Sequence, residues 1–342
     1  MATTQPTDVT ATDAGLESKN GVDLSNAVVE RSASALAQRR SKLPSIIQFP
    51  LVAILSFSVS SLGYSFINEF SRGELATVMR TWSTQREVGI MTAWRLIELA
   101  LGWFANFDSV DLAALNLLSH GPLFYLLSAF YNIDPKIALG GLAVDVTASF
   151  VPFLLLRPLS GAHKGSSSVP NREIINDRSI SILSILLASF IYAVVLVLSY
   201  NFYLRQAFVL HFEGIYTIEP AQSALVVLAT LILASGIAAR GFIFTPLATT
   251  GRTEQDEKVA QFDPVEAGLG ETLWWNVWGY TSQTKVGIVR TLLLAIVTGV
   301  NTYLQSALTI NGVEPAGAAR YASAWMLAAL LAGLGLGFVG EV

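Results

Sequence analysis

Five stretches of this chain run for twenty residues or more without an Asp, Glu, Lys or Arg: 46–67, 179–204, 220–239, 291–313 and 321–340. A helix rises about 1.5 Å per residue, so about 20 apolar residues match a hydrocarbon layer of about 30 Å. Runs of that length without charge are how a chain reads when lipid is its solvent. Three further segments read as weaker spans. Residues 90–107 hold Arg95 and Glu98, 112–133 hold His120 before Gly121 and Pro122, and 137–156 hold Asp145. The predicted fold is therefore all-α: a polytopic transmembrane helix bundle of about eight spans, near 46–67, 90–107, 112–133, 137–156, 180–204, 220–246, 287–310 and 321–340. These form one transmembrane domain, 45–342, behind a disordered polar N-terminal tail, 1–44.

Composition agrees. Charged residues are 13% of the chain, hydrophobic ones 52%, and the mean hydropathy is +0.53. Typical soluble domains are about 25% charged. With no cysteine, disulfides, thiolate catalysis and cysteine metal sites are excluded. A net charge of −4 argues against a nucleic-acid partner. The tail carries Asp8, Asp13, Glu17 and Asp23 and lacks an apolar core, so it reads as neither a signal peptide nor a transit peptide.

Sidedness follows from Lys and Arg near the span ends. With the N-terminus in the cytosol, eleven of them fall in cytosolic segments and six on the other side. Both termini are expected in the cytosol, with cytosolic loops at 157–179 and 248–285. The expected location is the endoplasmic reticulum or another internal membrane. The motifs "NIDP" (132–135), "TIEP" (217–220) and "GVEP" (312–315) each place an acid and a proline before an apolar run. Proline suits the first helical turn, and the preceding Asp134, Glu219 or Glu314 suits a cap. Their recurrence on one side suggests helical hairpins.

Two groups of residues stand out. Charges inside spans are costly and usually face the bundle interior. Arg95 and Glu98, three apart, lie on one helix face, and Asp145 follows Gly140 and Gly141, which would let a second helix approach. Arg95, Glu98, His120, Asp145 and Arg240 form the candidate intramembrane polar cluster, as polar staples between helices or as an ion or proton path. The second group ends an acidic loop. Trp274, Trp275, Trp278 and Tyr280 precede Lys285 and Arg290. Aromatic rings, then basic residues, then an apolar run is the order of an interfacial anchor. The same face, with loop 248–285, is the candidate docking site for a protein partner; the bilayer is the other expected partner. In the last span Ala329, Gly333 and Gly337 make a small-residue packing face.

No nucleotide, zinc-protease or serine-hydrolase motif occurs. No catalytic residue, cofactor or metal ligand is expected. The first functional reading is a non-catalytic subunit, scaffold or membrane-biogenesis factor. The alternative is a small-solute or ion carrier or channel using Glu98, Asp145 and His120; a lipid-modifying enzyme has least support.

Overall fold

The computed structural model describes residues 44–80, 84–164, 169–219, 224–263 and 267–340. The expected tail lies outside them apart from Pro44. The described residues form helices and no strand. Eight helices are long: α1 (Ser45–Phe70), α2 (Gln85–Phe104), α3 (Ser109–Phe130), α4 (Pro135–Leu156), α5 (Arg178–His211), α6 (Leu225–Thr249), α7 (Ser282–Thr309) and α8 (Pro315–Gly340). Seven are long and apolar enough to cross a membrane, and α2 is not. The expected count of about eight thus resolves into seven apolar helices and one of 20 residues that carries Arg86, Glu87, Arg95 and Glu98. The protein is an integral membrane helix bundle.

Local sequence explains the helix starts. Asp108 caps α3, its side chain accepting from Val110 N and Asp111 N. Asp134 caps α4 from Lys136 N, with Pro135 in the first turn. Both satisfy amides that a helix start leaves open. Glu314 departs from the cap expected of it, because its carboxylate pairs with His211 at 2.7 Å. The cap expected of Glu219 faces 220–223, outside the described residues.

Helix α3 is the axis of the bundle. In its most apolar window 83% of the residues are buried, against 17% in α1. A helix apolar on all sides belongs in a core. Helices α3 and α4 approach closely at Gly141, where a Cβ would lie 2.3 Å from the Phe124 ring. Gly333 of α8 likewise abuts Thr291 of α7, whereas Gly337 has open space around it. The packing face of α8 therefore runs through Ala329, Ala332 and Leu336, all fully buried, in place of Gly337.

The two ends of the bundle are built differently. At the end holding the acid–proline starts of α4 and α8, loops are stitched by backbone pairs. Arg80 N donates to Thr309 O at 2.8 Å, and Glu213 N to Gly312 O at 2.8 Å. The opposite end, where α3 starts, is held by buried charges.

Overpacking at Gly141 is the test of the α3–α4 contact. Gly141→Leu should cost about 1–3 kcal/mol and lower folded yield, since Phe124 has no room to yield. Gly337→Ala should be neutral. Thermal unfolding of the two detergent-extracted variants checks this, and equal behaviour would refute the contact.

Candidate functional site

The polar residues of the spans come in helical pairs. Arg95 and Glu98 are three apart on α2; Asn116 and His120 four apart on α3; Asp145 and Ser149 four apart on α4; Asn301 and Gln305 four apart on α7. Such spacing puts both members of a pair on one helix face. The four faces meet. His120 Nδ1 lies 2.9 Å from Asp145 Oδ2, and His120 Nε2 lies 3.3 Å from Glu98 Oε1. The imidazole thus stands between two carboxylates from two other helices, with Glu98 only 2% exposed and His120 5%.

Each carboxylate has a further partner. Tyr64 of α1 donates to Asp145 Oδ1 at 2.8 Å. Arg95 reaches Glu98 Oε2 at 3.4 Å and is held in place by Asn116 Oδ1 (2.9 Å), Ser149 Oγ (2.7 Å) and Ser56 Oγ (3.2 Å). Its charge is spread over four acceptors, which is what lets a guanidinium sit in an apolar bundle.

This cluster forms one wall of a cavity of about 560 Å³. The cavity runs from mid-helix, at His120 and Asp145, toward the acid–proline end at Met79, Arg80 and Thr309. Trp94, whose indole donates to Asn301 Oδ1 at 2.9 Å, and Tyr64 supply aromatic wall. A pocket of this size, mostly apolar with a few convergent polar groups, is the usual form of a small-molecule site.

Donor counting at His120 defines two states. The ring bonds both carboxylates only when both nitrogens carry protons. Gln305 Nε2 also lies 3.0 Å from Nδ1, and Gln305 Oε1 is buried without a partner. An N–H of the amide donates to Nδ1 only if Nδ1 is unprotonated. Turning the amide over gives the other state, with Oε1 toward a protonated Nδ1.

Arg240 stands apart from the cluster it was grouped with. It lies in a π turn of α6, Arg240–Phe244, and donates to Ile175 O at 2.9 Å and Ser181 Oγ at 2.6 Å. Five membrane-embedded or wall residues, Tyr64, Trp94, Asn116, Asn301 and Gln305, escaped the sequence reading. For Asn116, Asn301 and Gln305 the signal was a four-residue spacing of polar side chains inside apolar runs.

A second charged cluster closes the end where α3 starts. Arg290 of α7 pairs with Asp111 at 2.6 Å, donates to Phe242 O at 2.8 Å and lies over the Phe107 and Phe242 rings. Its side chain is therefore turned into the bundle, not out to a lipid phosphate. Asp108 accepts from Ser160 N and lies 2.7 Å from His163 Nδ1. Arg157 donates to the carbonyls of Gly102, Trp103 and Phe107, satisfying the C-terminus of α2. Asp108, Asp111 and His163 come close enough to share an ion, but Arg290 and the amide donors already occupy the carboxylates. Burial pushes the Asp108 carboxyl up, and its bonds from His163 and the amides outweigh this and hold it low. Burial pulls His163 down, and Asp108 outweighs that, so its value is raised.

The tryptophans lie on a short helix, Leu269–Trp278. Trp275 stacks on Phe262 at 4.9 Å, Trp274 is 67% exposed and Tyr280 46%. Trp274, Trp275 and Trp278 line a shallow surface groove with Phe262, Glu271 and Lys285, and Tyr280 lies outside it.

Comparison with protein-family models, with curated proteins and with solved structures finds no match.

Two outcomes are expected. Arg95→Leu should destabilise the protein by about 3–5 kcal/mol, because it strands a buried carboxylate. Adding Glu98→Gln should recover part of that loss, and a double-mutant cycle on detergent-extracted protein measures it. Strictly additive losses would mean the pair shares no buried site. The second outcome concerns His163. Its raised value contributes stability in full below the ordinary histidine pKa of 6.5, lost as pH rises through the folded value. The lowered Asp108 contributes stability above the carboxylate range, lost as pH falls. The gap in melting temperature between the protein and His163→Ala should be widest near about pH 5–6 and shrink on the alkaline side. A gap independent of pH would contradict the pairing.

Proposed function

We propose that the protein is a proton-linked carrier of a small solute. The cavity is the solute site and Glu98–His120–Asp145 is the proton site. The single observation that carries this is the imidazole held between two carboxylates in the wall of the cavity. Three ionisable groups in contact inside an apolar bundle are expensive, and membrane proteins that keep such groups use them for ions or protons. A purely structural staple needs one donor and one acceptor. It does not need a titratable ring with two possible partners beside an open volume.

The access pattern supports the same reading. The cavity reaches toward one end of the bundle, and the opposite end is closed by the Arg290–Asp111 and His163–Asp108 pairs. A site at mid-helix, with a passage on one side and a breakable polar closure on the other, is the arrangement of alternating access. The Lys/Arg excess supports a cytosolic location for the closed end and for both termini.

A second reading, a subunit or scaffold that docks a protein through 248–285, is favoured by the helix Leu269–Trp278. Its Leu269, Leu273, Trp274 and Val277 are exposed.

Proteoliposomes with a pH-sensitive dye inside separate the two. Small cationic, neutral and anionic solutes are added outside, one at a time. At least one should drive proton movement, and Asp145→Asn should cut that movement by about tenfold or more. No proton movement with any solute would leave the scaffold reading in its place.

A further inference from the structure

We propose that the cavity takes a monovalent organic cation, a primary or secondary ammonium on a small apolar group, in exchange for one proton on His120. This names the substrate class of the carrier reading and rests on it.

Formal charge comes first. The charged and titratable groups facing His120 are Glu98 and Arg95 of α2, Asp145 of α4 and Tyr64 of α1. With Arg95 positive and both carboxylates ionised, the cluster sums to −1 when the imidazole is neutral and to zero when it is protonated. At the passage, Arg80 is offset by Glu87 at 3.1 Å. An apolar interior tolerates a neutral cluster far better than a charged one. The site is therefore complete with one proton, or with one other monovalent cation in its place.

The acceptors decide which cation. When His120 gives up its Nδ1 proton, Asp145 Oδ2 loses its donor. Gln305 Nε2 then donates to Nδ1, leaving Gln305 Oε1 buried and unpartnered beside the cavity. Two acceptor atoms, Asp145 Oδ2 and Gln305 Oε1, are then left beside the same volume with no donor, while Asp145 Oδ1 keeps the Tyr64 hydroxyl. An ammonium supplies several N–H donors and one charge. The remaining lining is suited to an apolar substituent on that nitrogen: the Trp94 and Tyr64 rings and Met79, Met91 and Leu123. Aromatic faces attract cations and thioethers adapt to varied shapes.

The exchange balances. A solute ammonium enters with its charge and its protons; the imidazolium releases its Nδ1 proton to water; the neutral ring keeps its Nε2 proton on Glu98 and accepts from Gln305. Arg95, bound by four acceptors, takes no part. The amide of Gln305 turns over as the occupant changes, with its oxygen toward the ring in the protonated state and toward the ammonium in the loaded state.

The test uses the full chain in lipid nanodiscs. Three probes that share a phenylethyl group are compared: 2-phenylethylammonium, neutral 3-phenylpropionamide and anionic 3-phenylpropionate. Binding is measured by titration calorimetry in two buffers of different ionisation heat, which counts protons. The cation alone should bind, releasing about one proton, with affinity rising about tenfold per pH unit while His120 is protonated. Asp145→Asn should abolish cation binding. Gln305→Leu, which changes no charge and serves if the first variant folds poorly, should weaken it about tenfold. Equal binding of the neutral amide, or cation binding without proton release, would overturn the proposal. Proton flux in liposomes driven by a neutral solute, with no cation binding in nanodiscs, would sink this inference and leave the carrier. Cation binding with proton release but no flux would support the site and sink the carrier.

Discussion

The cost of burying charge in a medium that cannot solvate it governs this molecule. Helix α2 is the clearest case. Its length matches a bilayer, but four of its residues are charged. Arg86 and Glu87 lie in its first turn, where Arg86 is exposed and Glu87 pairs with Arg80 at 3.1 Å. Arg95 and Glu98 lie deep, and the surrounding helices are organised to meet them. Ser56, Asn116 and Ser149 belong to three other helices and all converge on one guanidinium.

The same constraint explains the unlike ends of the bundle. Where loops meet at the acid–proline end, backbone groups pair with one another and the interior stays open as a cavity. Where α3 starts, the helix ends need partners for their free carbonyls and amides. Arg157 covers the last carbonyls of α2, Asp108 the first amides of α3, and Arg290 the Phe242 carbonyl, whose partner four residues on would be Pro246, which has no N–H. Closure there is polar and specific, so it is sealed by geometry that a displaced side chain undoes. Apolar packing along α7 and α8 has no such alternatives.

Much of this was legible in the sequence, for physical reasons that also mark its limits. Charge-free runs are a one-dimensional signal, so the helices of the bundle were readable. Arg95 and Glu98 were readable as a pair because helix geometry fixes neighbours three and four residues apart. His120, Glu98 and Asp145 were each visible as costly residues, yet their meeting depends on how three helices rotate, which no single helix encodes. Arg290 read as a headgroup anchor because its position in the chain suited one. Its actual partner, Asp111, is 179 residues away and sat in a span start that offered no pattern. Arg240 read as an intramembrane charge, but a long side chain near a helix end has reach, and it found the Ile175 carbonyl in the short helix Arg172–Asn176 that precedes α5. The neutral members of the site, Asn116, Asn301 and Gln305, carried a four-residue spacing that becomes informative once charge is not the only thing sought.

An imidazole between two carboxylates differs in kind from an ion pair. A guanidinium beside a carboxylate has one protonation state and, once satisfied, one geometry. The imidazole has two nitrogens and one removable proton, so its two contacts cannot both survive a change of protonation. Removing the proton leaves either Glu98 or Asp145 facing a lone pair. The geometry selects which. Nδ1 has Gln305 as a ready substitute donor at 3.0 Å, whereas no other donor is found beside Nε2 among the described residues. The break therefore falls on Asp145, whose other oxygen keeps the Tyr64 hydroxyl. Asp145 also lines the cavity and is the more exposed carboxylate of the two, at 8% against 2%. Loss of one proton thus converts a closed cluster into a carboxylate presented to the cavity. The fixed half of the chain, Arg95 with Glu98, holds the imidazole in place while it happens.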